Sequence, residues 1–240
     1  MRAALVVLGV AVLPSAGRAQ FSTVSIESRA PLRGSRAVVD EVVASIATDV
    51  TRPPVFVLAS EVELTLRFEL ATRGAPSPLT IEVDETVSRA MLEQVLGERL
   101  LERESLRVGD PRPTDEQVTA ERVLLTERLA PIGGPDALLA AVGADASDFT
   151  EFVRRRVQVA QFLERHLARA IEPTESELRA AYTEERFGAY RAEGVGFAIA
   201  RPEIRTALMR QGYPAAIRGY LRSLGGRATI RLWAHSPELP

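Results

Sequence analysis

The sequence contains no cysteine and no lysine, and it has few aromatic residues. Without cysteine the chain has no disulfide, no thiolate nucleophile and no sulfur ligand for a metal. All 30 basic residues are arginine, and aromatic residues make up 5% of the chain. A core with so few rings must consist mainly of leucine, valine and alanine, which favours helices. The formal net charge of −2 argues against non-specific binding of nucleic acid.

Motifs for catalysis and cofactor binding are also missing. The two histidines, His166 and His235, stand in no metal-ligand spacing. The chain has no metalloprotease HExxH, no Gly-x-Ser-x-Gly, no phosphate-binding glycine loop and no dinucleotide fingerprint. Neighbouring glutamates such as Glu102 and Glu104 lie in arginine-rich helices and indicate a solvated face. We therefore predict no catalytic residue, no metal site and no cofactor.

The N-terminal residues predict export. Arg2 precedes an apolar run over residues 3–13, which indicates a signal peptide over 1–19. The run is too short for a permanent membrane anchor, so we expect a periplasmic protein with no membrane span after cleavage. Cleavage would remove two arginines and no acidic residue, which moves the formal charge from −2 to −4. Residues 20–35 show no sustained period and are predicted to be a flexible leader.

Helical periodicity dominates the remaining sequence. Capping boxes at Ser60–Glu63, Thr114–Gln117 and Thr174–Glu177 indicate three helix starts. The predicted helices, in chain order, cover about 60–73, 85–107, 114–129, 135–142, 148–171, 174–187 and 203–220. The pattern predicts a mainly α fold.

The helix predicted over 148–171 is the longest of these amphipathic segments, and the rest of the chain is expected to pack around it. Asp148 and Glu151 are expected to cap its start, and Pro173 follows its end. One face carries a broad apolar stripe that includes Phe152 and Leu163. Phe162 lies on the opposite face among arginines. We expect that face either to meet solvent or to bury Phe162 against the helix at 203–220.

Short β segments flank the helical region. Residues 38–46 and 55–58 are rich in β-branched residues and surround Pro53 and Pro54, which predicts a hairpin. Residues 228–234 alternate between apolar and polar side chains. A lone short strand would leave backbone donors and acceptors unmatched, so we expect the N-terminal and C-terminal strands to pair.

Five segments occur in a specific order and spacing. They are VVDEVVASI (38–46), LASEV (58–62), EQVLGERLLERE (93–104), PTDEQV (113–118) and IEPTESELRAAY (171–182). From about Val38 to Phe187 this ordered set resembles the chaperone module of the SurA family of periplasmic proteins. Residues 201–205, with the closing helix and strand, resemble the C-terminal part that packs back on that module. The resemblance implies a multi-helix SurA N-terminal-like chaperone module at 36–188 and a C-terminal helix and strand at 201–240.

Two features depart from the family. The hairpin insert at Thr48–Pro54 is longer than the usual tight turn. Many members also carry a parvulin-type prolyl isomerase domain where this chain has only a short connector, residues 189–200. The resemblance therefore implies an ATP-independent chaperone that binds unfolded or extended polypeptides, such as outer-membrane protein precursors. The alternatives are a peptidyl-prolyl cis-trans isomerase and a structural adaptor for one dedicated envelope partner.

We expect clients to bind an exposed apolar patch bordered by charge. Phe162 is placed at its centre, because arginine guanidinium groups beside it could lie along aromatic client side chains. The expected client-binding residues are Phe162, Arg155, Arg165, Tyr182, Phe187 and Tyr190. For Tyr182 and Phe187, packing into the core is the alternative.

Overall fold

The computed structural model describes residues 24–27, 40–48, 52–184 and 187–233. The predicted signal peptide, residues 1–19, lies outside the described residues. Within them the fold is mainly α with a small sheet, as predicted. The helices are α1 (Ala59–Thr72), α2 (Glu85–Arg107), α3 (Asp115–Leu129), α4 (Gly134–Val142), α5 (Ala146–Leu167), α6 (Glu175–Thr183), α7 (Gly188–Ala192) and α8 (Phe197–Gly225). The strands are β1 (Val24–Glu27), β2 (Val42–Ala47), β3 (Val55–Leu58) and β4 (Thr229–Trp233), and 3-10 helices cover Ala130–Ile132 and Arg169–Ile171.

The described chain divides into two compact units. Residues 160–220 form the smaller unit, and the described residues before 160 and after 220 form the larger one. The unit boundaries fall inside α5 and inside α8. Each unit has a hydrophobic core of its own.

The sheet of the larger unit joins the two ends of the chain. Its strand order is β1-β4-β2-β3, and β2 runs antiparallel to both β3 and β4. Ala44 is paired with Leu232, and Ile46 with Ile230. The predicted hairpin and the predicted pairing of N-terminal and C-terminal strands are both confirmed.

β1 lies inside the segment predicted to be a flexible leader, residues 20–35. Its four residues pair in parallel with β4, from Val24 opposite Ile230 to Glu27 opposite Trp233. The prediction of an unstructured leader is therefore wrong at these residues. Sequence periodicity missed them because a four-residue strand depends on a distant partner strand for its hydrogen bonds.

The core of the larger unit is built from α1, α3, α4 and the first half of α5. Phe68 meets Phe152 edge to face at 5.1 Å between ring centroids, and Phe149 stacks on Phe152 at 6.1 Å. Leu125, Leu129 and Leu138 are completely buried beside them. The apolar stripe predicted for α5 thus packs into a core, as expected.

Helix starts follow local capping chemistry in two of the three predicted capping boxes. In α3 and α6, Thr114 and Thr174 accept a hydrogen bond from the third helical N–H, and Gln117 and Glu177 accept one in return from the cap N–H. The box predicted at Ser60 is wrong. There α1 continues directly from β3, and the Ser60 N–H donates to the Asp40 carboxylate at 3.2 Å.

The start of α5 also differs from the prediction. The Asp145 carboxylate accepts from the backbone N–H groups of Ser147 and Asp148 at 2.7 and 3.1 Å, and Asp148 accepts from the Asp145 N–H at 2.8 Å. Asp148 is thus the third residue of the helix instead of its cap. At the other end, α5 stops at Leu167, and a separate 3-10 turn carries the chain to Ile171.

The smaller unit contains the segment predicted to be a short connector, residues 189–200. Most of that segment is helical: it holds most of α7 and the first residues of α8. The last helix, predicted over 203–220, therefore begins earlier, at Phe197, and contains Pro202. The core of this unit contains Leu178, Ala181, Phe187, Ala200 and Ile204.

Candidate functional site

Phe162 does not face solvent. Its side chain has no exposed surface, and its ring lies 5.8 Å from the ring of Tyr220 on α8 and 4.7 Å from the ring of His166. The expectation that Phe162 binds clients is therefore wrong, and its alternative, burial against the C-terminal helix, is confirmed. A client cannot reach this ring while the unit is folded.

Arg155 is also buried, with 3% of its side chain exposed. Its Nη1 lies 2.9 Å from Glu61 Oε1, and its Nε lies 3.6 Å from Glu98 Oε2. At 3.6 Å, Arg155 Nε and Glu98 Oε2 form an ion pair, but neither atom has a hydrogen-bond partner. Arg155 joins α5 to α1 and α2 and is not available to a client, so its assignment to the client site is wrong.

The ion pairs around Arg155 extend along the same helices. Arg99 donates to both oxygens of Glu61 at 2.8 and 2.9 Å and to Glu102 at 3.0 Å. Burial alone would lower the pKa of Arg99, but its bonds to Glu61 and Glu102 outweigh burial and raise that pKa. These charged side chains form ion pairs with one another, which is typical of a structural network that fixes how helices pack.

Three of the four remaining predicted site residues belong to the hydrophobic cluster of the smaller unit. Tyr182 donates its hydroxyl to the Val195 carbonyl at 2.7 Å, and the Tyr190 hydroxyl bonds to Glu203. Phe187 is 9% exposed and stacks on Tyr190. Arg165 is exposed and donates to Gln161 at 3.1 Å. Packing of Tyr182 and Phe187 into the core, the alternative reading, is confirmed.

The smaller unit instead contains a surface groove that none of the predicted residues line. It has a volume of about 570 Å3, within the range of ligand-binding clefts. One wall comes from residues 170–184, which include the 3-10 turn and α6, and the other comes from α8. The lining residues are Ala170, Ile171, Glu172, Pro173, Glu177, Ala180, Ala181, Glu184, Leu208, Gln211 and Gly212.

Local sequence explains why this groove is open. Pro173 prevents the 3-10 turn from continuing as a helix, and the Thr174 cap restarts the chain as α6. On the opposite wall Gly212 has no side chain, and a Cβ there would lie 3.9 Å from Ile171 Cβ. A larger side chain at position 212 would therefore extend toward Ile171 and occupy the groove.

The groove is acidic. Its lining includes three glutamates and no basic residue, in a chain with 30 arginines. Hydrogen bonds from Arg205, at 2.7 and 2.9 Å, lower the pKa of Glu172 and form an ion pair with it, and the charge of Arg201 lowers that pKa further. The pKa of Glu177 is also lowered. The hydrogen bond from the Thr174 backbone N–H has the larger effect, and the hydrogen bond from the Thr174 hydroxyl adds to it. Glu172 and Glu177 therefore carry negative charge at neutral pH.

A second cleft, of about 410 Å3, lies along α3 and is lined by Thr119, Arg122, Val123, Thr126 and Glu127. Because all its lining residues belong to one helix, it has no second wall to enclose a ligand. Among the described residues no group of acidic, histidine or cysteine side chains could hold a metal ion. No described helix has the length and apolar content needed to cross a membrane.

The groove could not be predicted from exposed aromatic and arginine side chains, because its lining contains neither. The available signals were weaker: the Glu172-Pro173 break, the cap that follows it, and the glycine at 212 within a predicted helix. Only the packing of α6 on α8 brings these residues together. No protein-family model, no curated protein and no solved structure matches this chain.

Proposed function

We propose that this protein is an exported, ATP-independent chaperone-like module that binds extended or unfolded polypeptides in the groove between α6 and α8. The resemblance of residues 38–187 to SurA-family chaperones and the predicted signal peptide support the class and the periplasmic location. The observation that carries the proposal is the groove itself, which combines half-buried apolar residues, Ile171 and Leu208, with carboxylates on its rim.

The chemistry of the groove favours a particular kind of client segment. An extended polypeptide offers apolar side chains to Ile171 and Leu208 and N–H donors to the glutamates. Because no basic residue lines the groove, segments with arginine or lysine next to apolar residues gain Coulomb energy there, and segments rich in acidic residues do not. We infer that such apolar-basic segments of outer-membrane protein precursors are the preferred clients.

A pair of glycine substitutions in α8 tests this proposal. Gly212→Leu places a side chain in the groove, whereas Gly219→Leu, seven residues later on the same helix, has open space around it. Both replace glycine with a better helix former by about 1 kcal/mol, so neither should unfold the helix. We expect Gly212→Leu to weaken binding of an apolar-basic peptide at least tenfold and Gly219→Leu to leave it unchanged.

The breadth of clients separates a chaperone from an adaptor. The purified protein, without ATP, is expected to suppress aggregation of several unrelated unfolded proteins. Binding to a single folded partner, with no suppression for unfolded ones, would favour the adaptor. Equal peptide binding by both glycine variants would show that clients do not use this groove.

A further inference from the structure

The sheet of the larger unit ends at an unusual edge strand. β1 has four residues, comes from a part of the sequence far from its partner β4, and runs parallel to it. The other pairings in the described sheet are antiparallel. Parallel pairing is slightly weaker per residue than antiparallel pairing, and β1 lies at the edge of the sheet with β4 as its one neighbouring strand. β1 is therefore the strand of this sheet that is least costly to displace.

The strand that β1 covers does not depend on β1 for its position. β4 is paired on its other side with β2 from Thr229 to Leu232. Ile230 is 1% exposed, and its partner on β2, Ile46, is completely buried. With β1 removed, β4 would present a row of unpaired backbone N–H and C=O groups on a strand already held in place, which is a preformed template for another strand.

The pairing of β1 also indicates what this edge selects. Val24 and Ile26 stand opposite Ile230 and Leu232, whereas Ser25 stands opposite Arg231. Over these three pairs apolar residues alternate with polar ones in both strands at the same positions. The fourth pair, Glu27 opposite Trp233, sets a polar residue against an apolar one. Because successive residues of a strand face opposite sides of the sheet, a replacement strand must keep this alternation to match β4.

From this arrangement we propose that the outer edge of β4 is a strand-addition site for extended polypeptides with alternating apolar and polar residues, and that β1 occupies it in cis. An incoming strand binds parallel to β4 through backbone hydrogen bonds and displaces Val24–Glu27. β1 protects the edge when no such strand is present. The site lies in the larger unit and does not depend on the groove between α6 and α8.

The absence of native cysteine allows a direct test. Ser25 and Arg231 are register partners in adjacent strands, so Ser25→Cys with Arg231→Cys places the only two thiols of the chain within disulfide reach. Oxidation locks β1 onto β4, and reduction releases it in the same protein. Arg231→Cys alone controls for the loss of the arginine.

The probe is a fluorescent peptide with the sequence of residues 21–30, FSTVSIESRA. The control peptide has Ser25 and Ile26 exchanged, which breaks the alternation and keeps the composition. We expect the reduced protein to bind the probe at least tenfold more tightly than the oxidised protein and to discriminate against the control peptide. A variant lacking residues 21–27 should bind the probe at least tenfold more tightly than the full chain, because the competing strand has a high effective concentration in cis.

Several results would overturn the proposal. They are equal binding by the oxidised and reduced proteins, equal binding of both peptides, and failure of a folded deletion variant to bind. If the deletion variant does not fold, the comparison of oxidised and reduced protein decides alone. Dimerisation of the full chain that the disulfide abolishes would assign the edge to a second copy of this chain.

Probe binding unaffected by Gly212→Leu would separate this site from the groove.

Discussion

Replacing Phe162 with alanine tests the organisation of the smaller unit most sharply. The ring has no exposed surface, and it contacts the rings of Tyr220 and His166. Truncating a fully buried phenylalanine removes its transfer energy and leaves a cavity, at a cost of about 3–5 kcal/mol. With a urea m value of about 2 kcal/mol/M, the unfolding midpoint should fall by about 1.5–2.5 M.

The matched control is Arg165→Ala, an exposed position on the same helix. We expect it to change the free energy of unfolding by less than about 0.5 kcal/mol. A double-mutant cycle with Tyr220→Ala should then give a coupling energy of about 0.5–1.5 kcal/mol for the two rings. If Phe162→Ala is as stable as Arg165→Ala in urea denaturation followed by circular dichroism, the ring is not part of a core and the packing described above is incorrect.

Three further predictions follow from the charges and from the fold. Arg155→Met should lower the free energy of unfolding by about 3–5 kcal/mol, because it leaves the buried Glu98 carboxylate without its cation. The double variant with Glu98→Gln should recover part of this lost stability, and urea denaturation measures both changes. Hydrogen bonds from Arg205 lower the pKa of Glu172 from its ordinary value of 4.5. This ion pair therefore stabilises the fold above pH 4.5, and the stabilisation is lost as the pH falls through the lowered pKa. A carboxyl NMR titration of Glu172 should show a midpoint below 4.5, and the midpoint should rise in Arg205→Gln. Finally, the protein should not accelerate cis-trans exchange of a proline tetrapeptide, whose uncatalysed barrier is about 18–20 kcal/mol, and catalysis lost on denaturation would restore the isomerase alternative.

The sequence predicted those elements that are specified locally. The bounds of α2, Glu85–Arg107, agree with the apolar period between Asp84 and Gly109, and the threonine caps start α3 and α6 where expected. Strand alternation predicted β4. In each of these cases the determining residues lie within a few positions of one another or in a clear period of two. The pairing of β4 with β2 was expected for another reason, because a lone strand would leave its backbone groups unmatched.

The errors come from residues whose role depends on distant partners. Arg155 and Phe162 lie on the side of α5 that was assigned to solvent because it carries arginines. Arginine is buried when a carboxylate from another helix pairs with it, as Glu61 does here. A periodicity argument counts such an arginine as exposed and therefore places neighbouring apolar residues, such as Phe162, in solvent as well. The sequence alone does not show which helix will supply the carboxylate.

The groove escaped prediction for a related reason. Its two walls, at about residue 173 and residue 212, are separate in sequence, and neither has a distinctive motif. Pro173 interrupts the helical segments on one wall, and Gly212 leaves space for a side chain on the other. These two features form a groove because tertiary packing brings the walls together. The acidic character of the groove is also opposite to the arginine-bordered patch expected from the sequence.

Site-specific crosslinking measures most directly whether polypeptides bind in this groove. A photoreactive amino acid at Ala180, an exposed residue in the groove lining, is compared with the same group at Ala192, an exposed residue of α7 outside it. With an unfolded outer-membrane β-barrel protein, we expect crosslinks from position 180 that are lost when Gly212→Leu is added, and few from position 192. Crosslinks from position 192 alone, or equal yields from both positions that Gly212→Leu does not change, would contradict binding of clients in the groove.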